Sequence, residues 1–305
     1  NVKEIFDKAR ELRNTRDNVT VFNQFEEFGN YLWHYEVTGS AVKEVIENEM
    51  KEKENYFAFF ASSGSSGTLG AGDYLKKHYP ESKIAVGEAL QSPTIMSNGF
   101  GAHKIEGIGD THIPWIHNVK NMDFAAAIDD ERVLALMRLF NEAQGREYLI
   151  EQGVSKKFVN KLELLGISSI ANLVGTIKLA KYYELDKDQL IMTVFTDSME
   201  LYTSRLKQMR EKAGKYTRED AIRDYHLYLR GINKANSIEM DLEQRKRVHN
   251  LKYFIWIEQH SHDIEELNSQ WYNYENYWEK IRSQSKEIDR LIKEFNQRTG
   301  LLKKL

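Results

Sequence analysis

The chain contains no cysteine. Disulfides, thiolate metal sites and a cysteine nucleophile are therefore excluded. It has no apolar run near the roughly 18 residues that a membrane-crossing helix needs, so no membrane partner is expected. It also lacks any excess of positive charge: 43 basic residues against 46 acidic ones leave −3 over 305 residues. A dedicated nucleic-acid binder would be strongly basic, so nucleic acid is not an expected partner either. No secretory pattern stands at the start, and the expectation is a cytoplasmic protein. The length suits one large domain or two smaller ones, and a hydrophobic fraction of 41% suffices for a core.

Periodicity then orders the chain. Val2, Ile5, Phe6, Ala9 and Leu12 recur at helical spacing. "NVTVFNQF" alternates like a strand. After a break at Thr38-Gly39-Ser40, "AVKEVIENEMKEKE" reads as a helix, and "YFAFFAS" as a strand covered on both faces. A helix over about residues 68–78, the strand "KIAVGEAL", a long loop system over 91–121, the helices "DDERVLALMRLFNEAQG" and "SSIANLVGTIKLAKYY" and the strand "QLIMTVFTD" follow. The β-α alternation predicts an α/β fold with a mainly parallel open sheet flanked by helices. From about Met199 the pattern turns helical, charged and aromatic. A capping box at Thr217 and Asp220 opens one helix, and Gly300 ends another that carries Ile288, Leu291, Ile292 and Phe295 on one face. A C-terminal all-helical extension is expected over 205–305.

The stretch "YFAFFASSGSSGTLGAGDYL" carries the chemistry. A strand that empties into "SSGSSGTLG" and then a helix aims several backbone N–H groups at one anion. A nucleotide triphosphatase needs a lysine after this loop, where Thr68 and Leu69 stand instead. A dinucleotide site would use Glu88 at the next strand end, but Ser66 and Leu69 break the glycine spacing. A single phosphomonoester held by neutral donors as a handle fits better. The plain alternative is a Gly/Ser loop that only turns the chain. His103, His112 and His117 lie in the long loop without helical ligand spacing, so loop hydrogen bonding is a better reading than a metal site. Lys104 reads as a loop residue.

Five segments in order settle the family resemblance: "NQFEEFGNYLWHYEVTG", "SSGSSGTLG", "GAHKIEGIGDTHIP", "LGISSIANL" and "VFTDSMELY". They resemble the fold-type II pyridoxal-phosphate enzymes, cysteine synthase and its relatives, over about residues 1–205. The resemblance implies that Gly64, Ser65, Ser66, Gly67 and Thr68 cradle the phosphate of pyridoxal phosphate. It implies that Ser168, or failing it Ser169, bonds the pyridine nitrogen. It places Gln24 and Phe25 near a small amino-acid substrate's carboxylate, with Gly107, Ile108 and Gly109 on the pocket wall. Ser168 could also cap its helix, and Gln24 could be an ordinary strand end. A neutral hydroxyl on the pyridine nitrogen leaves a weaker electron sink than a carboxylate partner, which favours β-elimination and replacement over transamination.

Three departures stand out. Ser66 and Ile170 replace family glycines and add bulk near the cofactor, and Ala102 replaces a proline. The Schiff-base lysine of the family lies upstream of the "NQF" segment, so it is expected before Asn1, in a missing front piece of about 100 residues or more. No catalytic residue is therefore assigned within the chain. The implied division is 1–25 for the end of the small domain and a crossover strand, 26–204 for the cofactor domain, and 205–305 for the extension. The expected function is a β-elimination or replacement on a small amino acid. The alternatives are a β-subunit like that of 2-amino-4-oxopentanoate thiolase, and a non-catalytic subunit that binds a partner. A homodimer or a second subunit engaged through the tail is expected.

Overall fold

The computed structural model describes residues 2–109 and 111–303. Asn1, where the sequence reading begins, lies outside them. Helix α1 is Val2–Thr15, and α2 (Phe28–Trp33) runs through a π turn, His34–Thr38, into α3 (Gly39–Glu49). Strand β1 (Asn55–Ser62) leads to α4 (Leu69–His78), β2 (Lys83–Ala89), the short α5 (Thr94–Ser97) and β3 (Phe124–Ile128). Then come α6 (Asp130–Asn141), α7 (Ala143–Glu151), α8 (Lys156–Val159), α9 (Ile167–Tyr182) and β4 (Gln189–Thr193). The tail holds α10 (Thr203–Ala213), α11 (Arg218–Arg223), β5 (Ser237–Glu239), α12 (Leu242–Lys252), α13 (Ile264–Tyr272), α14 (Tyr274–Arg282) and α15 (Ser285–Thr299). No single helix among the described residues is long and apolar enough to cross a membrane.

The sheet order is β4-β1-β2-β3-β5. The first four strands pair in parallel, and β5 pairs antiparallel with β3, Ala125 opposite Ile238. Phe59 and Phe60 of β1, Val86 of β2 and all five residues of β3 are buried, which matches their unbroken apolar runs. Helix α9 lies so close to the sheet that a Cβ on Gly175 would sit 1.9 Å from the Phe60 ring. Two apolar clusters fill the space on the two sheet faces.

Four local expectations change. "NVTVFNQF" forms no strand: residues 19–23 are extended without a strand partner, and Gln24 begins a turn. The alternation was real, but a strand exists only where a neighbour completes its hydrogen bonds. Thr38-Gly39-Ser40 is no break, because Gly39 is helical (φ −61°, ψ −45°). It is glycine for space: its Cβ would lie 2.6 Å from Tyr74. "DDERVLALMRLFNEAQG" splits at Glu142 (ψ 145°), whose carboxylate is gripped by Arg210 at 2.9 and 3.0 Å. The tail is not wholly helical, since β5 adds an edge strand to the sheet. The capping box at Thr217 and the left-handed stop at Gly300 (φ +63°) are both present.

Candidate functional site

The site lies where the parallel strands end, against the start of α4. Ser63 anchors the loop: its N–H donates to the Gly87 carbonyl at 2.8 Å, and its own carbonyl accepts from Gly109 N–H at 2.7 Å. Ser66 then turns into the left-handed region (φ +65°), which a non-glycine residue resists. Its Oγ lies 2.8 Å from Ser63 Oγ, a contact that helps hold it there. The result is a loop whose amides have nothing of the protein to bind. Among the described residues, the N–H groups of Gly64, Ser65, Ser66, Gly67 and Thr68 donate to no protein acceptor. Amides in that state, at the positive end of a helix, make an anion site.

A cavity of about 350 Å³ opens on this loop. Gly64, Ser65, Ser66 and Thr68 line it on one side, Gln24, Phe25, Gly107, Ile108 and Gly109 on others, and Ser168 opposite. The structure thus brings together ten of the eleven residues singled out from sequence. The exception is Gly67, which faces away: a Cβ there would lie 2.2 Å from Asn30 Oδ1. Asn30 repays that closeness by donating from Nδ2 to Gln24 O (3.0 Å) and Ser65 Oγ (2.9 Å). Ile170, expected near the cofactor, is buried in the core beside α6 and does not line the cavity, so its bulk is accommodated elsewhere.

Sequence reasoning missed Ala61, Ser62, Asn172, Val194 and Thr196, which also line the cavity. Asn172 sits one helical turn after Ser168, a spacing that was available as a signal. Its Oδ1 accepts from Ser62 N–H (2.8 Å) and its Nδ2 donates to Val194 O (2.8 Å), which ties the ends of two strands to α9. Ser168 Oγ lies 3.0 Å from Thr196 Oγ1. The Asp197 carboxylate caps α9, accepting from Ser168 N–H (3.0 Å), Ser169 N–H (2.9 Å) and Tyr202 OH (2.8 Å). Burial pushes Asp197 up, but the bonds from Ser169, Ser168 and Tyr202 outweigh it and hold the group below its ordinary value. Gly166 must lack a side chain because its Cβ would meet that carboxylate at 2.5 Å. No charged side chain lines the cavity among the described residues.

The other candidates fall elsewhere. Glu88 is buried and accepts from Ile95 N–H (2.8 Å) and Met96 N–H (2.9 Å), so it organises α5 instead of meeting a ribose. Burial raises it to about 7. A raised carboxyl stabilises the fold most below its unfolded value near 4.5, and that contribution is lost as pH rises through about 7. In Glu88→Gln the stability-against-pH curve should flatten over that window by about 3 kcal/mol. An unchanged slope in urea titrations would refute the assignment. Lys104 donates its backbone N–H to Asp130 (2.8 Å), and its ammonium pairs with Glu131, outside the cavity. His112 and His117 are buried and His103 abuts Gly109, and no described group of three His, Asp or Glu side chains is placed to hold a metal.

Known proteins with this geometry are found by sequence and by structure. Cysteine synthase B of Campylobacter jejuni is 28% identical over 204 residues, 67% of this chain and 59% of its own length. A probable cysteine synthase of Bacillus subtilis is 30% identical over 198 residues, 65% of this chain and 57% of its own. The chain is a homologue of the cysteine synthases. A hydrogen sulfide-producing enzyme of Fusobacterium nucleatum superposes with a TM-score of 0.54 at 26% identity, covering 72% of this chain and 58% of the other. The fold is that of the type II pyridoxal-phosphate enzymes, and pyridoxal phosphate is the cofactor that the homology implies. No protein-family model matches the chain. The chain spans less than two thirds of the length of these relatives. The residues present fit the cofactor: four of the five residues whose amides lack protein acceptors line the cavity, and Ser62 Oγ, buried beside it, has no partner among the described residues.

Proposed function

We propose that the chain forms the cofactor half of a pyridoxal-phosphate enzyme that eliminates or replaces a β-substituent on a small amino acid. The observation that carries this reading is the run of five amides, Gly64 to Thr68, with no acceptor in the protein. Together with the hydroxyls of Ser65, Ser66 and Thr68 they would hold the phosphate without any cation. Ser168 would donate to the pyridine nitrogen while accepting from Thr196, an order that the 3.0 Å contact permits. When bound, pyridoxal phosphate supplies the electron-withdrawing ring on which the β-substituent is lost or exchanged. Gln24 and Phe25 would orient the amino acid, and Gly107 to Gly109 would wall the cavity against water.

No lysine lines the cavity among the described residues. The proposed Schiff-base amine is a lysine from outside this described lining. The extension is proposed as an assembly surface for a second copy or a second subunit. Support comes from α15, which buries no residue and leaves Leu291, Ile292 and Phe295 about half exposed. The test is direct. Pyridoxal phosphate added to this chain and reduced with borohydride should mark no single lysine among residues 1–305, and Ser168→Ala should weaken cofactor binding about tenfold, the weight of one hydrogen bond. One uniquely labelled lysine within the chain, or equal affinity in Ser168→Ala, would overturn the reading.

A further inference from the structure

Lys252 ends α12 and is fully buried. Taking a lysine out of water is costly unless its donors are met, and a well-packed apolar residue usually stabilises at least as much. Here the donors are met: Nζ donates to the carbonyls of Trp115 (2.8 Å) and His117 (2.8 Å) and to Gln270 Oε1 (2.7 Å). The π turn that follows, Tyr253–Ile257, swings Trp256 into the same place. Its Nε1 donates to the Ile113 carbonyl at 2.7 Å, also in the interior. The tail therefore grips three alternate carbonyls, of Ile113, Trp115 and His117, along one ribbon. On its other side this segment holds a residue that lines the cavity. Trp115 N–H donates to the Phe25 carbonyl at 2.8 Å, with Ile116 N–H at 3.4 Å. Phe25 and Gln24 line the cavity, and Asn30 joins Gln24 to Ser65 of the phosphate loop.

We propose that the C-terminal extension is a built-in strut for the substrate-side rim of the cavity, with Lys252 as its positioning residue. The proposal rests on the cofactor reading of that cavity. It assigns the extension a role within its own chain, separate from any assembly surface on α15. The three donors of the Lys252 ammonium are all met, and directed bonds of this kind fix one arrangement of their acceptors where apolar packing alone tolerates several, although Gln270 Nε2 beside them has no partner among the described residues. The carbonyl of Phe25 is thereby set at one height against the phosphate loop, and so is the substrate between them.

The test compares Lys252→Met, which keeps the stem and loses the donors, with Trp256→Phe, which loses the bond to Ile113 together with part of the buried indole's packing and serves as a second variant should the first fail to fold. Tyr216→Phe is the control, because its hydroxyl meets Asp224 within the tail and neither residue touches Lys252 or Gln270. Hydrogen exchange at the amides of Trp115 and Ile116 should rise about tenfold in both strut variants and stay unchanged in the control, with Leu69 and Gly70 unaffected. In the protein loaded with pyridoxal phosphate, KM for the amino acid should rise about tenfold while cofactor affinity stays within about twofold. Unchanged exchange at Trp115, a uniform rise through α4 and α9, or a fall in cofactor affinity matching the change in KM would overturn the strut. Failure of the unsubstituted protein to bind the cofactor would sink the cofactor reading instead, and the exchange comparison would still decide the strut.

Discussion

Between pH 7 and pH 5 three buried histidines and Glu88 are together expected to remove about 4 kcal/mol of folding stability, a large share of the 5–15 kcal/mol that holds a typical domain together. Three buried histidines carry the effect. Burial lowers His112 to about 4, with His260 adding to it. Burial and then Lys252 lower His117 to about 3. Burial, Lys252 and Lys246 lower His249 to about 3, against the opposing pull of its contact with the Leu267 carbonyl. In the unfolded chain all three protonate near 6.5, whereas in the folded chain they stay neutral. Their contribution is therefore complete above 6.5 and falls away as pH drops toward the folded values. At pH 5 each costs about 2 kcal/mol, together about 6. Glu88 acts in the opposite direction and returns about 2 kcal/mol over the same interval.

Urea midpoints at pH 7 and pH 5 measure the difference. His117→Gln should remove about half of this net difference. Stability that holds or rises on acidification would refute the assignment of neutral, buried imidazoles. The three residues flank the ribbon and the tail that grips it. His117 gives its carbonyl to Lys252, and His112 packs against Phe25 and Trp256 at ring separations of 5.4 and 5.7 Å. Acid should loosen that side first, and the fluorescence of Trp115 and Trp256 should change before the helical circular dichroism does.

The parallel sheet and the cavity were legible for the same reason: each depends on short-range pattern. Unbroken apolar runs marked β1 and β2, and "SSGSSGTLG" marked a loop with surplus amides; β3, the five residues Phe124–Ile128, was passed over between the long loop and α6. The resemblance then brought distant segments to one place. What sequence could not show depends on partners far along the chain. The alternation in "NVTVFNQF" could not reveal that no strand lies beside it. Gly39 reads as a helix breaker until Tyr74 is seen against it. Three residues, Ser237–Glu239, are too few to stand out from a helical tail, and β3 alone makes them a strand. Lys252 looked like one more charge in "LEQRKRVHNLKYFIWIEQ"; only the fold reveals the three acceptors around it.

Asp197→Ala is expected to be the most damaging single change at the cofactor end of the site. Its carboxylate holds the first turn of α9 through Ser168 and Ser169, and Tyr202 from the other side. Alanine leaves two helix-start amides and the Tyr202 hydroxyl without their acceptor, while the Ser169 hydroxyl keeps the backbone carbonyl of residue 197 at 2.9 Å. Bonds to a carboxylate count more than neutral ones, so a loss of about 3 kcal/mol is expected after solvent enters the half-open site. Ser168 then loses the anchor that sets its hydroxyl beside Thr196, and cofactor affinity should fall about a hundredfold. Tyr202→Phe removes one donor and strands none, so it should cost about 1 kcal/mol with near-normal affinity. Because Asp197 is held below its ordinary value, its contribution is present above the unfolded value near 3.8 and vanishes only in stronger acid, below the window of the histidines. Calorimetric binding of pyridoxal phosphate to the variants, beside urea titrations, separates the two effects. If Asp197→Ala lowered stability yet bound the cofactor as tightly as the unsubstituted protein, Ser168 would not depend on the cap, and the pyridine-nitrogen role assigned to it would have to pass to another group.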